Sequence, residues 1–308
     1  MSFPETATLL YGIGAQKAGT TWVHALLAQS PEVHLPPVKE LHYFDTETGL
    51  NPLSYTIRLK VLAQVQAALA REAPHPRPET LARLRHITAL LSIHGGDARG
   101  RHAPYLDYLA RGYAGQKVVA DLTPAYAILA PATFAEMAAL VPRTRFLFIL
   151  RDPVARMWSQ IRMAAGADLA RDAPSDAPPA ALARAARARA EALIGAGRLP
   201  RVERADYART LAALDATVPP EHLLCLFYED LFAPETGAEC AARLAAFLGL
   251  GPLAPGPRKR VNAGQPLPLP ADLEAAFRTA FAPQYAAIRT RFGDAVPAAW
   301  GRRLARAA

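Results

Sequence analysis

Cysteine is almost absent from this chain: among 308 residues only Cys225 and Cys240 occur. One sits in an apolar run and the other in a helical stretch. That excludes a disulfide scaffold and a cysteine metal site, and reads as buried thiols in a reducing compartment. No apolar run approaches the length that crosses a bilayer. A candidate ligand loop beginning at residue 11 leaves no room before it for a signal peptide or anchor, so a cytoplasmic location is expected. Metal-ligand spacings of His, Cys, Asp and Glu are missing, so no metal is expected. A basic run interleaved with aromatics is missing too, and with it the usual footprint of a nucleic-acid partner.

What is present is a globular composition, 51% hydrophobic and 20% charged, long enough for one large α/β domain or two small ones. We read it as a single domain over 1–308. The net charge of +8 and pI near 9.7 favour an anionic partner. Much of that charge is arginine scattered among alanines, as in "ALARAARARAEAL" (181–193), which reads as the solvated face of a helix.

Five short, continuously apolar runs punctuate the chain: residues 8–14, 33–35, 117–122, 145–150 and 222–228. Helical patterns long enough for crossovers separate most of them, which predicts an α/β fold with a central parallel sheet flanked by helices. Two segments interrupt the alternation. Residues 50–115 read as a helical cap insert, and 166–200 open as a Pro/Asp/Ala linker, the segment expected to be mobile.

The first run leads directly into "YGIGAQKAGTTW" (11–22). Gly12, Gly14 and Gly19 let backbone N–H groups converge, the following helix adds its positive end, and Thr20 and Thr21 add hydroxyls, so the turn suits an anion. A dinucleotide fingerprint needs glycine where Lys17 stands. A phosphate loop of the kinase type needs lysine directly after Gly19, where Thr20 stands, and Asp121 is the one carboxylate ending a predicted strand that offers itself to a magnesium ion. Two readings of the loop alone remain open: a phosphate site of another kind, or a tight turn with a surface lysine.

The pattern G-x-x-K-x-G-T-T-W resembles the 5′-phosphosulfate loop of sulfotransferases that use 3′-phosphoadenosine 5′-phosphosulfate (PAPS). A second stretch, "LRDPVARMWSQ" (150–160), resembles that family's 3′-phosphate motif, with Arg151 and Ser159 in its arginine and serine positions. Pro153 suits a helix's first turn, and a serine eight positions beyond Arg151 lies about two turns along. Arg156 reads as structural. A third stretch, "VKELHYFD" (38–45), resembles the K-E-x-H-F/Y-F-D segment of the heparan sulfate 3-O-sulfotransferase branch and its bacterial relatives.

The resemblance implies a P-loop-like three-layer fold with PAPS as sulfuryl donor and no metal. It makes Glu40 the base and sets Lys17 against the leaving group, with His42 beside them and His42 and Asp45 on the substrate side. It places the donor on Gln16, Lys17, Ala18, Gly19, Thr20 and Thr21, with Trp22 against adenine and Arg151 and Ser159 on the 3′-phosphate. The late basic loop "RKRVNAG" adds Arg260, Asn262 and Gly264. The segment "ADLTPAY" (120–126) departs from the family pattern, with Leu122 where a lysine is usual. The acceptor stays open between a lipid or small hydrophobic alcohol, suited by the insert's apolar positions, and an acidic saccharide, suited by Arg83, Arg85, Arg99 and Arg101. Apolar helices in an insert also suit contacts between copies of the chain. The rival readings are a P-loop kinase and a non-catalytic basic protein that binds polyanions.

Overall fold

The computed structural model describes residues 3–172, 178–233, 235–253 and 267–305. Among these, five strands form one parallel sheet: β1 (Thr8–Gly14), β2 (Val33–His34), β3 (Val118–Asp121), β4 (Thr144–Leu150) and β5 (Leu223–Phe227). Their order is β2-β3-β1-β4-β5, and every pairing is parallel. Each strand coincides with one of the five apolar runs, β4 beginning one residue before its run. Strands covered on both faces have no solvated side to alternate with, so β1, β3 and β4 are buried along nearly their full length.

The helices fill the crossovers. α1 (Thr20–Leu27) follows β1; α2 (Tyr43–Glu47), α3 (Pro52–Glu72), α4 (Pro78–Ser92) and α5 (Ala103–Leu109) lie between β2 and β3. α6 (Pro131–Ala139) leads into β4, and α7 (Pro153–Asp172), α8 (Pro179–Gly195) and α9 (Tyr207–Asp215) connect β4 to β5. After β5 come α10 (Tyr228–Leu231), α11 (Gly237–Leu248), α12 (Ala271–Phe292) and α13 (Ala298–Ala305). Because β1 lies between β3 and β4, the turns leaving all three strands open on one crevice, where parallel sheets place their ligands.

Within the 166–200 segment α7 continues to Asp172 and α8 begins at Pro179, while residues 173–177 of the expected linker lie outside the described residues. Alanine and arginine are strong helix formers and Pro179 suits the first helical turn, which accounts for the helix that follows. α8 buries Ala186 and Ala190 and leaves most of its arginines outside. Arg187 pairs with Asp272 at 2.5 Å and Arg189 with Asp168 at 2.7 Å, so this part of the positive charge is a solvated face with surface partners.

In the insert, α3 packs along α4. A groove of about 570 Å³ runs between them, walled by Ile57, Val61, Ile87 and Leu90 with Arg83 and His86 alongside. Arg99 pairs with Asp97 and Asp107, and Arg101 with Glu47 and Glu136, so these two arginines already answer to carboxylates of the chain itself. Cys225 on β5 and Cys240 on α11 are free, and burial pushes their thiols up to about 12 and about 11. No helix among the described residues is long and apolar enough to cross a membrane.

Candidate active site

The crevice is built on two strand-to-helix turns that the pairing of β1 with β4 brings side by side. On the first turn Gly19, at φ 90°, caps α1 in the left-handed region, and a Cβ there would lie 3.1 Å from the ring of Tyr228. Glycine is therefore required both by backbone conformation and by space. The amides of Thr20 and Thr21 open α1 and have no partner one turn back, which leaves them for an anion.

On the second turn Asp152 caps α7: its Oδ1 accepts from the Ala155 amide at 2.7 Å, and its Oδ2 accepts from the Tyr285 hydroxyl at 2.9 Å. Arg151 then points back across the crevice. Its Nη1 donates to the Lys17 carbonyl at 2.7 Å, and its guanidinium lies 4.3 Å from the Tyr228 ring centre. Tyr207 donates to the Arg151 carbonyl at 2.8 Å and so clamps the turn. Arg156 is fully buried and reaches the Gln16 carbonyl at 3.4 Å; burial lowers its pKa to about 10. It supports the glycine loop from behind, as its structural reading required.

A third segment comes from the stretch between β2 and α2. Among the described residues, the non-glycine positions with positive φ are Lys17 at 70°, Glu40 at 64° and His42 at 50°. These are the three residues singled out as catalytic. Left-handed conformation costs a residue with a Cβ about 1–2 kcal/mol and persists only where surrounding contacts impose it. Here the contacts are visible. The Tyr43 amide donates to the Tyr126 hydroxyl at 3.0 Å, and that hydroxyl donates to Asp121 Oδ2 at 2.9 Å. His42 Nδ1 lies 2.7 Å from Asp45 Oδ2, to which the Asn51 amide also donates at 3.0 Å. His42 Nε2 lies 3.8 Å from Glu40 Oε2, and Lys39 forms an ion pair with Glu40 Oε1.

The resulting cavity measures about 250 Å³. Its walls include Gln16, Lys17, Gly19, Thr20, Thr21, Trp22, Arg151 and Glu40, so the predicted donor loop, the arginine and the base candidate meet in one place. A second cavity of about 310 Å³ adjoins it across Arg151, Tyr228 and Phe232. Burial, then the positive charge of Arg151 and Arg162, holds the Lys17 amine below its usual range, against a smaller opposing effect of Glu40. Several cations thus share one crevice, an arrangement that a multiply charged anion relieves.

Other predicted residues stand outside these walls. Ala18 is buried beneath the loop, Ser159 is nearly buried on α7, and Asp45 is buried behind His42. Arg260, Asn262 and Gly264 lie outside the described residues. Leu122 packs over Gly12, so tightly that a Cβ on Gly12 would collide with it; the position of the usual lysine is therefore apolar core. Asp121 is no magnesium partner for a kinase: it is fully buried, with Thr123 donating to Oδ1 at 2.6 Å and Tyr105 and Tyr126 donating to Oδ2. Burial raises its pKa against these hydrogen bonds.

Sequence reading missed Tyr228, Phe232 and Met163 as cavity walls. Tyr228 carried a usable signal, since it is the first residue past the carboxyl end of β5. Phe232 packs edge-to-face on Trp22 at 5.8 Å, and Met163 Sδ lies 3.6 Å from the Lys17 amine. Arg162, whose charge bears on both Lys17 and Arg151, carried no motif.

Comparison with known proteins follows the geometry. The chain resembles the solved structure of a sulfotransferase from Alicyclobacillus acidocaldarius, with a TM-score of 0.56 and 18% identity over 94% of this chain and 97% of that one, a likeness of fold. It also aligns with the sulfotransferase domain of the Synechococcus PCC 7002 olefin synthase (TM-score 0.48, 17% identity, 93% and 96% covered). The sulfotransferase domain from the curacin biosynthetic pathway aligns with a TM-score of 0.46 and 16% identity, covering 90% of this chain and 79% of that one. No protein with a curated description matches the chain. Residues 10–253 match the sequence pattern of the Sulfotransferase family, and this chain belongs to that family of sulfuryl-transfer enzymes.

Proposed function

We propose that the chain transfers the sulfuryl group of PAPS to a hydroxyl or amine of its acceptor, with Glu40 as base and Lys17 on the leaving group. The observation that carries this reading is the convergence of the glycine loop, Lys17, Arg151 and Glu40 on one cavity. The residues fit the donor: two left-handed glycine positions and a helix start for a 5′-phosphate, Arg151 as a fork for a further phosphate, and the Trp22–Phe232 pair for a flat base. The likeness of 38–45 to the heparan sulfate 3-O-sulfotransferase segment supports Glu40 in its role.

When bound, the donor supplies sulfur attached to a phosphate oxygen that can depart with the bonding electron pair. Glu40 takes the acceptor's proton as the new oxygen–sulfur or nitrogen–sulfur bond forms. The Lys17 ammonium and the amides opening α1 stabilise the charge left on the phosphate. The family resemblance adds Ser159 to the 3′-phosphate site; the late basic loop it also names lies outside the described residues. His42 keeps the Glu40 carboxylate company on the acceptor side, and Asp45, being buried, acts through His42 rather than on the acceptor itself.

Titration calorimetry with 3′-phosphoadenosine 5′-phosphate (PAP), beside ADP without magnesium, tests the donor reading. Tight PAP binding, much weaker ADP binding, and loss of the difference in Arg151→Ala are expected. Equal affinity for the two nucleotides, or none for either, overturns it.

A further inference from the structure

The geometry points to Arg58 as a positioning residue: a guanidinium supplied by the insert that fixes the pose of Glu40 by holding the Leu41 carbonyl. This rests on the reading of Glu40 as the base. Along its whole length α3 buries just two residues, Val65 and Arg58. A buried guanidinium is unfavourable unless its donors are satisfied, and an aliphatic side chain would serve the helix packing as well. Folding of the insert alone therefore gives no reason for arginine here.

The partners of Arg58 supply the reason. Nη2 donates to the carbonyl of Leu41, the residue between Glu40 and His42. Nη1 lies 3.1 Å from His94 Nε2. Guanidinium has donors only, so His94 accepts at Nε2 and keeps its proton on Nδ1, which it donates to Glu47 Oε1 at 2.7 Å. The arginine is thereby fixed in turn, from α4 side and α2 side together. Among the described residues its hydrogen-bond partners are the Leu41 carbonyl and His94, not a carboxylate.

That main chain is the strained turn. Glu40 and His42 both sit in the left-handed region, and the peptide groups flanking them decide where both side chains point. The Tyr43 amide is tied to Tyr126, which is anchored to the sheet through Asp121. Arg58 ties the Leu41 carbonyl from the opposite side, from the insert. Removing it frees the turn to relax, and a base displaced by a fraction of an ångström loses its alignment with the acceptor proton while the donor loop, anchored by Arg151 and Arg156, stays in place.

The test needs no knowledge of the natural acceptor: PAPS is turned over with water as acceptor, PAP release is followed, and PAP affinity is measured by calorimetry. The variants are Arg58→Met, Arg58→Lys, Glu40→Gln and each Arg58 variant combined with Glu40→Gln. Arg58→Met is expected to lower kcat by about 10-fold or more with PAP affinity within about 2-fold of the parent. Arg58→Lys, which keeps a donor but cannot bridge two partners, loses less. In the Glu40→Gln background neither change lowers kcat further, because a residue acting through the base has nothing left to position.

An unchanged kcat in Arg58→Met overturns the proposal. So does a loss that persists undiminished in the Glu40→Gln background, in either Arg58 variant; Arg58→Lys supplies this test if the methionine variant does not fold. If the parent turns over no PAPS, or if Glu40→Gln leaves turnover unchanged, it is the reading of Glu40 that fails, and the role of Arg58 falls with it. PAP affinity, measured separately, shows whether the donor site survives that failure.

Discussion

The donor side of the crevice and the helical insert are built by different means. On the donor side, side chains are spent on main chain: Arg151 on the Lys17 carbonyl, Arg156 on the Gln16 carbonyl, Tyr207 on the Arg151 carbonyl. The result is a fixed cradle of amides and cations, set on the central strands. The insert is a helical hairpin that leaves Leu53 69% and Ile57 59% exposed and buries little of α3. One region is over-determined and the other is loosely held, and the turn at 39–43, which carries the proposed base, lies between them. Chemistry that needs a fixed leaving-group site and an adaptable acceptor site is served by that division.

The contrast is sharpest at Glu40. Glu40→Gln is expected to lower sulfuryl transfer by roughly 10²- to 10⁴-fold, the range for loss of a general base, with PAP affinity unchanged. A comparable loss of PAP binding would move Glu40 to the donor side and dissolve the distinction. Arg151→Ala should do the reverse. Losing a charged fork costs about 1.5–3 kcal/mol, so PAP affinity should fall by roughly 10- to 150-fold while ADP affinity changes little. Calorimetry that found both nucleotides weakened equally would assign Arg151 to the shared phosphate.

Smaller effects probe how firmly each region is held. Asp152→Ala removes the cap of α7 and should cost about 1–2 kcal/mol, which for a chain of this size lowers Tm by a few degrees, roughly 2–6 °C, in a thermal melt. Leu53→Ser and Ile57→Ser on the exposed face of α3 should fall within about 0.5 kcal/mol of the parent and leave PAP affinity untouched. A large loss of stability in either serine variant would show that the insert is as tightly built as the cradle.

Much of this was legible in the chain. The five strands were, because a strand buried on both faces must be apolar throughout, and such runs stand out between amphipathic helices. The glycine loop and the Arg151 turn were legible as local strand-to-helix motifs, each complete within a dozen residues. The 166–200 segment carries mixed signals, because proline and aspartate mark a break while the alanines and arginines around them favour helix, and composition alone does not rank the two. Arg58 and Arg162 were invisible for another reason. Each is a single residue whose importance comes from what approaches it in space, and no spacing within its own segment records that approach.

By itself, then, the sequence determined the strand set and the glycine-rich strand-to-helix turn, which follow from short-range pattern, and its resemblance to a family nominated Lys17, Glu40 and His42 as catalytic candidates. The tertiary structure decided that the turns at 14–19 and 150–153 face each other, through the parallel pairing of β1 with β4. It also decided that Asp45 faces His42, that Asp121 is sealed in the core, and that an arginine of the insert grips the turn that carries Glu40. The physical reason is range: backbone preference and hydrophobic period act over a few residues, whereas the placing of a buried charge depends on every element packed around it.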